Sequence, residues 1–258
     1  MDLGLKNKNV LITGGSKGIG YSVSKLFDDE GANLIIVSRS KKNLNNIKKN
    51  LTKNPNHSFI SKNLLKDEKF TNLKKIIKKK YKNKIDIIIH NVGGALGVKD
   101  ILSSTKEWIK VWKFNVGIAI NLNNYLIPKM KKTGGKIIHV SSISAITGGA
   151  KIKPYGGSPA YSCAKAFLNM YSKTLSREVI QNNINVSLVM PGTVLVENKH
   201  WHKMKKNNKK IYNQYVKNFH DINRLADPDE IAPYIIFLAS KFSTYAVGTQ
   251  VNIDGGMR

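Results

Sequence analysis

The sequence of 258 residues holds a single cysteine, Cys163, and only 7 prolines. One thiol can form neither an internal disulfide nor a thiolate metal cage. A reducing cytoplasm is the expected location. Long hydrophobic runs are absent as well. No apolar stretch approaches the roughly 18 residues that cross a bilayer, so no membrane partner is expected. The N-terminus, Met1-Asp2-Leu3-Gly4-Leu5, has no basic segment leading into an apolar one, and no signal peptide is expected. With 41% hydrophobic residues the chain is neither disordered nor collagen-like. Its length suits one large α/β domain with a full core, or at most two small ones.

Acidic side chains are scarce: 16 Asp plus Glu stand against 43 Lys plus Arg, a formal charge of +27. Arginine is scarce too, at 4 of those 43. One reading of the charge is an electrostatic footprint for nucleic acid, an anionic membrane or an acidic substrate. The other is compositional drift, because Lys and the abundant Asn, as in Asn43-Leu44-Asn45-Asn46, share A/T-rich codons. A surface selected for phosphate or base recognition favours Arg forks over Lys points. The shortage of Arg therefore favours drift, and nucleic acid is not expected as a partner.

Short β-branched runs alternate with helical patterns. The expected strands are Asn9–Thr13, Asn33–Val37, His57–Ser61, Ile85–His90, Lys136–Ser141, Ile184–Val189 and Gln250–Ile253. The first six are nearly continuous apolar runs, as in strands covered on both faces. Helices are expected near 18–30, 41–53, 67–82, 105–132 and 159–182. Repeated strand–helix units imply a parallel sheet with right-handed crossovers. Helix starts are marked by Ser104 with Glu107, by Ser158-Pro159, and by Asp227-Pro228 with Glu230. No repeat or linker divides the chain, so residues 1–258 read as one domain. Residues 41–84 hold 15 Lys and two acids, most simply a solvated helical surface. Residues 195–222 are basic and aromatic and follow Pro191-Gly192, at the carboxyl end of a strand. Open α/β sheets bind ligands there, so this segment is expected to be a mobile helical lid.

The first strand runs into Thr13-Gly14-Gly15-Ser16-Lys17-Gly18-Ile19-Gly20 and then a helix. Glycines let a backbone approach a pyrophosphate closely, and the helix start offers free N–H groups. Gly14-Gly15-Ser16-Lys17-Gly18 also fits the Gly-x-Ser-x-Gly pattern of hydrolase nucleophiles. That reading leaves the further glycines without a purpose. After the second strand stand Ser38, Arg39 and Ser40, with no acid to bind a ribose 2′-hydroxyl. Arg39 can fork onto a phosphate and Lys17 adds a second cation, so NADP(H) is expected over NAD(H).

Tyr161 and Lys165 lie one turn apart on the helix that Ser158-Pro159 opens. A free phenol has a pKa of about 10. An ammonium beside it favours the phenolate, which suits a general acid/base for carbonyl–alcohol interconversion. The fifth strand ends in Ser141-Ser142, where a hydroxyl can donate to the substrate oxygen.

These motifs, together with Asn91-Val92-Gly93-Gly94, Asn115-Val116, Tyr161-Ser162-Cys163-Ala164-Lys165, Pro191-Gly192 and Val251-Asn252-Ile253-Asp254-Gly255-Gly256, run in one order along nearly the whole chain. The sequence resembles the short-chain dehydrogenase/reductase family, and within it 3-oxoacyl-acyl-carrier-protein reductases and sugar or secondary-alcohol dehydrogenases. The resemblance implies a Rossmann fold: a doubly wound, seven-stranded parallel sheet in the order 3-2-1-4-5-6-7. It implies a tetrad of Asn115, Ser142, Tyr161 and Lys165. Tyr161 would exchange the proton, Ser142 would polarise the carbonyl, Lys165 would hold the nicotinamide ribose and lower the Tyr161 pKa, and Asn115 would anchor a relay water. NADP(H) would lie along Gly14, Ser16, Lys17, Gly18, Ile19, Gly20, Ser38, Arg39, Asn63, Leu64, Asn91, Gly93, Tyr161, Lys165, Pro191, Gly192, Thr193 and Val194. A homotetramer is implied, with interfaces on helices 105–132 and 159–182 and on Thr249–Arg258.

Four positions depart from the family's pattern. Asn63 stands where an Asp is usual, and an amide oxygen still accepts from adenine. Asn91-Val92-Gly93 replaces Asn-Ala-Gly. Val196 replaces a Thr near the carboxamide. Ser142 and Tyr161 are further apart than usual, with the surplus in Gly148–Gly157, beside the expected substrate site. The expected substrate is a small or carrier-linked carbonyl compound. The basic lid, with Lys199, Lys203, Lys205 and Lys206, suits an anionic one such as a 3-oxoacyl thioester. The alternatives are a phosphorylated or nucleotide-linked sugar, or a cofactor-binding protein whose basic face binds nucleic acid. His200-Trp201-His202 lacks a third ligand in view, so no metal is expected.

Overall fold

Seven strands make one parallel sheet in the order β3-β2-β1-β4-β5-β6-β7. They are β1 (Asn9–Thr13), β2 (Asn33–Ser38), β3 (Ser58–Ser61), β4 (Ile87–His90), β5 (Gly135–Val140), β6 (Ile184–Pro191) and β7 (Gln250–Ile253). The computed structural model describes residues 1–51, 54–67, 69–150 and 152–257. The ends of two expected helices at 52–53 and 68, part of the expected loop at Lys151, and Arg258 of the expected interface segment lie outside the described residues.

The apolar runs are continuous because neighbouring side chains serve opposite layers. Val10, Ile12, Leu34, Ile36, Ile87 and Ile89 face the layer of α1 (Ile19–Asp29), α2 (Lys41–Asn50) and α11 (Pro228–Ala239). Leu11, Ile35, Val37 and Ile88 face the other, against α3 (Thr71–Tyr81) and α5 (Ile118–Met130). Burying each such side chain contributes about 1.5–3 kcal/mol. On that second face α4 (Thr105–Trp112) packs with α8 (Pro159–Val179) over Leu188 and Met190.

The three expected starts are capped as their residues indicate. Ser104 and Glu107 form a capping box, as do Asp227 and Glu230, and Ser158 Oγ accepts from the Tyr161 N–H. The expected helix 105–132 is interrupted. Residues Lys113–Gly117 wind as a π-turn, so that the Ile118 N–H reaches back to Lys113 O. Hydrophobic spacing marks a helix but does not register a single extra residue in a turn. The helix expected from 67 starts at Thr71, behind Phe70, which is buried and left-handed with φ +49°. Short segments α6 (Ser144–Thr147) and α7 (Ile152–Tyr155) fill the loop after β5. The expected lid forms two helices, α9 (His200–Asn207) and α10 (Lys209–Phe219). No described helix is long and apolar enough to cross a membrane.

Candidate active site

The site lies along the carboxyl ends of β1, β2, β4, β5 and β6. The turn after β1 enters α1 through Gly18, whose φ of +55° a side chain would strain, and no side chain caps that helix. Its N-terminal N–H groups are thereby left for an anion. Gly20 sits under the turn, and a β-carbon there would stand 2.3 Å from Gly14 O. Asn91 supports the same turn from β4. Its Nδ2 donates to Gly14 O at 3.1 Å and Thr13 O at 3.3 Å, and its N–H donates to Thr13 Oγ1 at 3.0 Å. Its amide is therefore spent on the turn.

A cleft runs from this turn past the end of β2. Gly14, Ser16, Lys17, Gly18, Ile19, Ser38, Arg39, Asn63, Leu64, Asn91 and Gly93 line it, as the sequence leads one to expect. Val37, Ser40, Asn43, Lys62, Val92, Phe114, Val196 and Lys199 complete the wall. None of these described lining residues is acidic. Ser16 Oγ donates to Ser38 Oγ at 2.6 Å, and the Arg39 guanidinium lies 5.4 Å above the Phe114 ring. Asn63 Oδ1 accepts from the Leu65 N–H at 3.1 Å, which fixes its side chain at the rim.

Beyond Gly93 the cleft continues into a corner lined by Ser141, Ser142, Tyr161, Lys165, Pro191, Gly192 and Val194. The two serines differ. Ser141 is buried and donates to Asn169 Oδ1 at 2.6 Å, a packing role. Ser142 lies beside the Tyr161 phenol, and its Oγ accepts from the Ser144 hydroxyl at 3.0 Å and the Ser144 N–H at 3.2 Å. Lys165 is 2% exposed, and its Nζ donates to Val140 O at 2.8 Å. Asn115 sits in the π-turn behind Gly93, outside the cleft walls. Its Nδ2 donates to Gly94 O at 2.9 Å and Val111 O at 2.8 Å, and its Oδ1 accepts from the Gly94 N–H at 2.9 Å. Thr193 is turned away from the cleft. Its hydroxyl shares a 2.6 Å hydrogen bond with the Tyr215 hydroxyl, and its carbonyl accepts from Ala226 N–H.

One expectation about the tetrad is corrected. The phenol of Tyr161 is not pulled down by an ammonium. Burial pushes its pKa up, and the Ser142 hydroxyl beside it works against that rise. Burial also brings Lys165 down to about 7, so at neutral pH it carries only part of a charge, 5.7 Å from the Tyr161 ring centre. Sequence spacing shows the pair on one helix face but not how deeply Lys165 is buried.

The lid is a small aromatic core of its own. Tyr155, from the long loop after β5, is buried against Tyr215 and Phe219 with ring centres 5.3 Å from each. Trp201 stacks on Tyr215 at 3.7 Å. His200 Nε2 donates to Tyr155 O at 3.1 Å, so that nitrogen is committed to the backbone. The four lid lysines also part company, contrary to the grouping expected from sequence. All four are exposed, but Lys199 lines the cleft with Lys17 and Arg39, whereas Lys203, Lys205 and Lys206 lie outside it. Lys199 is the N-cap residue of α9 and lines the cleft, whereas the α9 residues that follow it do not. Sequence reading missed Ser144 and Lys199 as wall and support residues. Ser144, two residues after Ser142, carried a usable signal; Lys199 carried none beyond its charge.

The short chain dehydrogenase family pattern matches residues 8–207. The 3-oxoacyl-acyl-carrier-protein reductase FabG of Chlamydia trachomatis serovar D is 32% identical over 256 residues, covering 98% of each chain. The FabG of Thermotoga maritima is 29% identical over 257 residues, again 98% of each. Among solved structures, L-sorbose reductase from Gluconobacter frateurii, complexed with NADPH and L-sorbose, superposes with a TM-score of 0.86 at 30% identity, covering 100% of this chain and 98% of that one. With its sheet order, glycine turn and Ser142–Tyr161–Lys165 corner, the protein belongs to the short chain dehydrogenase family.

Proposed function

We propose that the protein is an NADP(H)-dependent oxidoreductase that interconverts a carbonyl group and a secondary alcohol. The carrying observation is one continuous cleft with cations and hydroxyls at its β2 end, no acid among its described lining residues, and Tyr161 beside Ser142 at its β5 end. The cleft fits a phosphorylated dinucleotide. Gly93 leaves a flat wall next to Lys165, and Ser16, Ser38, Arg39 and Lys17 offer donors to a 2′-phosphate. Bound there, NADPH supplies the hydride at nicotinamide C4.

Ser142 Oγ, held by Ser144, donates a hydrogen bond to the carbonyl oxygen as negative charge grows on it. Tyr161 gives that oxygen its proton, so carbonyl, hydride and proton sum to the alcohol. Lys165 has donors to spare beyond Val140 O for the ribose hydroxyls, and returns the proton to Tyr161. Asn115 fixes Gly94 and the loop that carries Gly93.

For the substrate, the exposed Lys203, Lys205 and Lys206 and the whole-length likeness to two FabG reductases support a 3-oxoacyl thioester on an acidic carrier. The sorbose reductase likeness favours a second reading, a keto-sugar. An NADPH-oxidation screen over oxoacyl thioesters, keto-sugars and simple ketones separates them. Tyr161→Phe should lower kcat by about 10²–10⁴ while leaving NADPH binding in place. Undiminished turnover in that variant would remove the mechanism. A homotetramer and a cytoplasmic location belong to the same reading. Large apolar side chains lie exposed on α8 (Phe167, Met170) and α11 (Tyr234, Phe237), and Tyr245 is 100% exposed. Light scattering that returns a monomer would remove the tetramer.

A further inference from the structure

Four cations line the cleft; Lys62, after β3, is paired with Asp67 at 3.4 Å, and the other three come from separate elements. Lys17 comes from the turn after β1, Arg39 from the end of β2, and Lys199 from the foot of the lid, at the N-cap position of α9. The foot is packed against the turn. Val196 methyls stand 3.0 Å from where a β-carbon on Gly18 would lie, and the Lys199 N–H donates to Val196 O at 3.1 Å. The one acid close in sequence, Glu197, is exposed, accepts from Asn198 Nδ2 and does not line the cleft. Desolvation and the charges of Lys17 and Arg39 together hold the Lys199 pKa below its usual value. Three cations that face one space repel each other until an anion joins them, and then all three attract it.

We propose that Lys199 is a phosphate ligand carried by the lid, and that a bound dinucleotide phosphate ties the foot of α9 to the turn after β1. This rests on the NADP(H) reading and deepens it. The phosphate turn and β2 belong to the sheet, whereas Lys199 belongs to the segment that covers the catalytic corner. One anion held by both makes cofactor occupancy and lid position a single equilibrium, and each must favour the other to the same degree. The phosphate chemistry is shared by the 2′-phosphate and the pyrophosphate. NADPH and NADH, which differ in the former alone, distinguish the two.

The test measures dissociation constants for NADPH and NADH on the full-length protein, as wild type, Lys199→Gln, Lys199→Arg and Lys203→Gln. A second readout is the rate of trypsin cleavage within residues 203–210. Lys199→Gln should weaken NADPH by about tenfold, the size of one charge-assisted contact, and flatten the salt dependence. Lys203→Gln should change neither, and Lys199→Arg should restore most of the affinity. Saturating NADPH should slow lid cleavage in the wild type and fail to do so in Lys199→Gln. A loss confined to NADPH assigns Lys199 to the 2′-phosphate; an equal loss with NADH assigns it to the pyrophosphate. Wild-type affinity together with wild-type protection in Lys199→Gln would overturn the inference and leave the cofactor reading standing. Failure of the wild-type protein to bind NADPH would instead overturn that reading, and the inference with it.

Discussion

Gly93 stands directly against the amine of Lys165. A β-carbon added to it would lie 3.0 Å from Nζ and 2.6 Å from Asn115 Oδ1. Both neighbours are buried and hydrogen-bonded to backbone, so neither is free to yield. Gly93→Ala should cost about 1–3 kcal/mol of stability through overpacking. Displacing Lys165 should lower kcat/KM on the order of 10²-fold. Thermal melts and steady-state kinetics read the two effects separately.

Lys165 is destabilising for the fold. Burial brings its pKa from 10.5 to about 7. Between those values the unfolded chain binds more protons than the folded one, so this group's contribution makes stability rise with pH across that window. Below about pH 7 the burial cost is complete, on the order of a few kcal/mol. Lys165→Met should therefore raise Tm at pH 6–7 and abolish turnover. The gain in Tm should shrink as the pH approaches 10. A Tm advantage independent of pH would contradict this account.

Tyr155 joins the long loop after β5 to the lid through Tyr215, Phe219 and His200. Removing a buried aromatic side chain costs about 3 kcal/mol, here confined to a satellite core. Tyr155→Ala should speed trypsin cleavage of residues 203–210 and raise KM for substrate. The melting of the sheet should move little. Equal losses of lid and sheet stability would show that the two cores unfold together.

His90 and His139 are register partners on β4 and β5, with rings stacked at 4.9 Å and fully buried. Their outer partners are Asn123 and Ser172. Burial lowers the His90 pKa from 6.5 to about 4, and burial with the neighbouring His90 and Lys165 charges holds that of His139 well below the usual imidazole value. Below pH 6.5 the unfolded chain takes up protons that the folded chain refuses, so stability falls as the pH drops toward 4. His90 alone accounts for about 3 kcal/mol of that loss. His90→Asn should flatten the decline in denaturant titrations between pH 6.5 and 4. An unchanged slope would assign the acid sensitivity to other groups.

The strand positions, the three capped helix starts and the meeting of Ser142, Tyr161 and Lys165 in one corner were legible in the sequence. Each rests on a local signal: a β-branched run, a hydroxyl three residues before an acid, a Tyr and a Lys one turn apart. What was not legible depends on distances across the chain. Hydrophobic spacing gives the helix of residues 105–132 but not the π-turn that places Asn115 behind Gly93. The pairing of His90 with His139 needs β4 and β5 to be neighbours in a fixed register. Lys199 reads as one lysine among many until the chain turn at the foot of α9 separates it from Lys203. The depth of Lys165, which sets its proton affinity, is a property of the assembled layers.

The Gly192 N–H donates to Ile253 O at 2.9 Å, and a β-carbon on Gly192 would strike Asp254 Cα at 2.8 Å. One wall of the corner thus leans on β7, which is translated long after Asn115, Ser142, Tyr161 and Lys165. A ribosome that has already released all four has not yet made the ledge beneath them. Chains cut short before Gln250 would therefore carry all four side chains without the strand that supports Gly192.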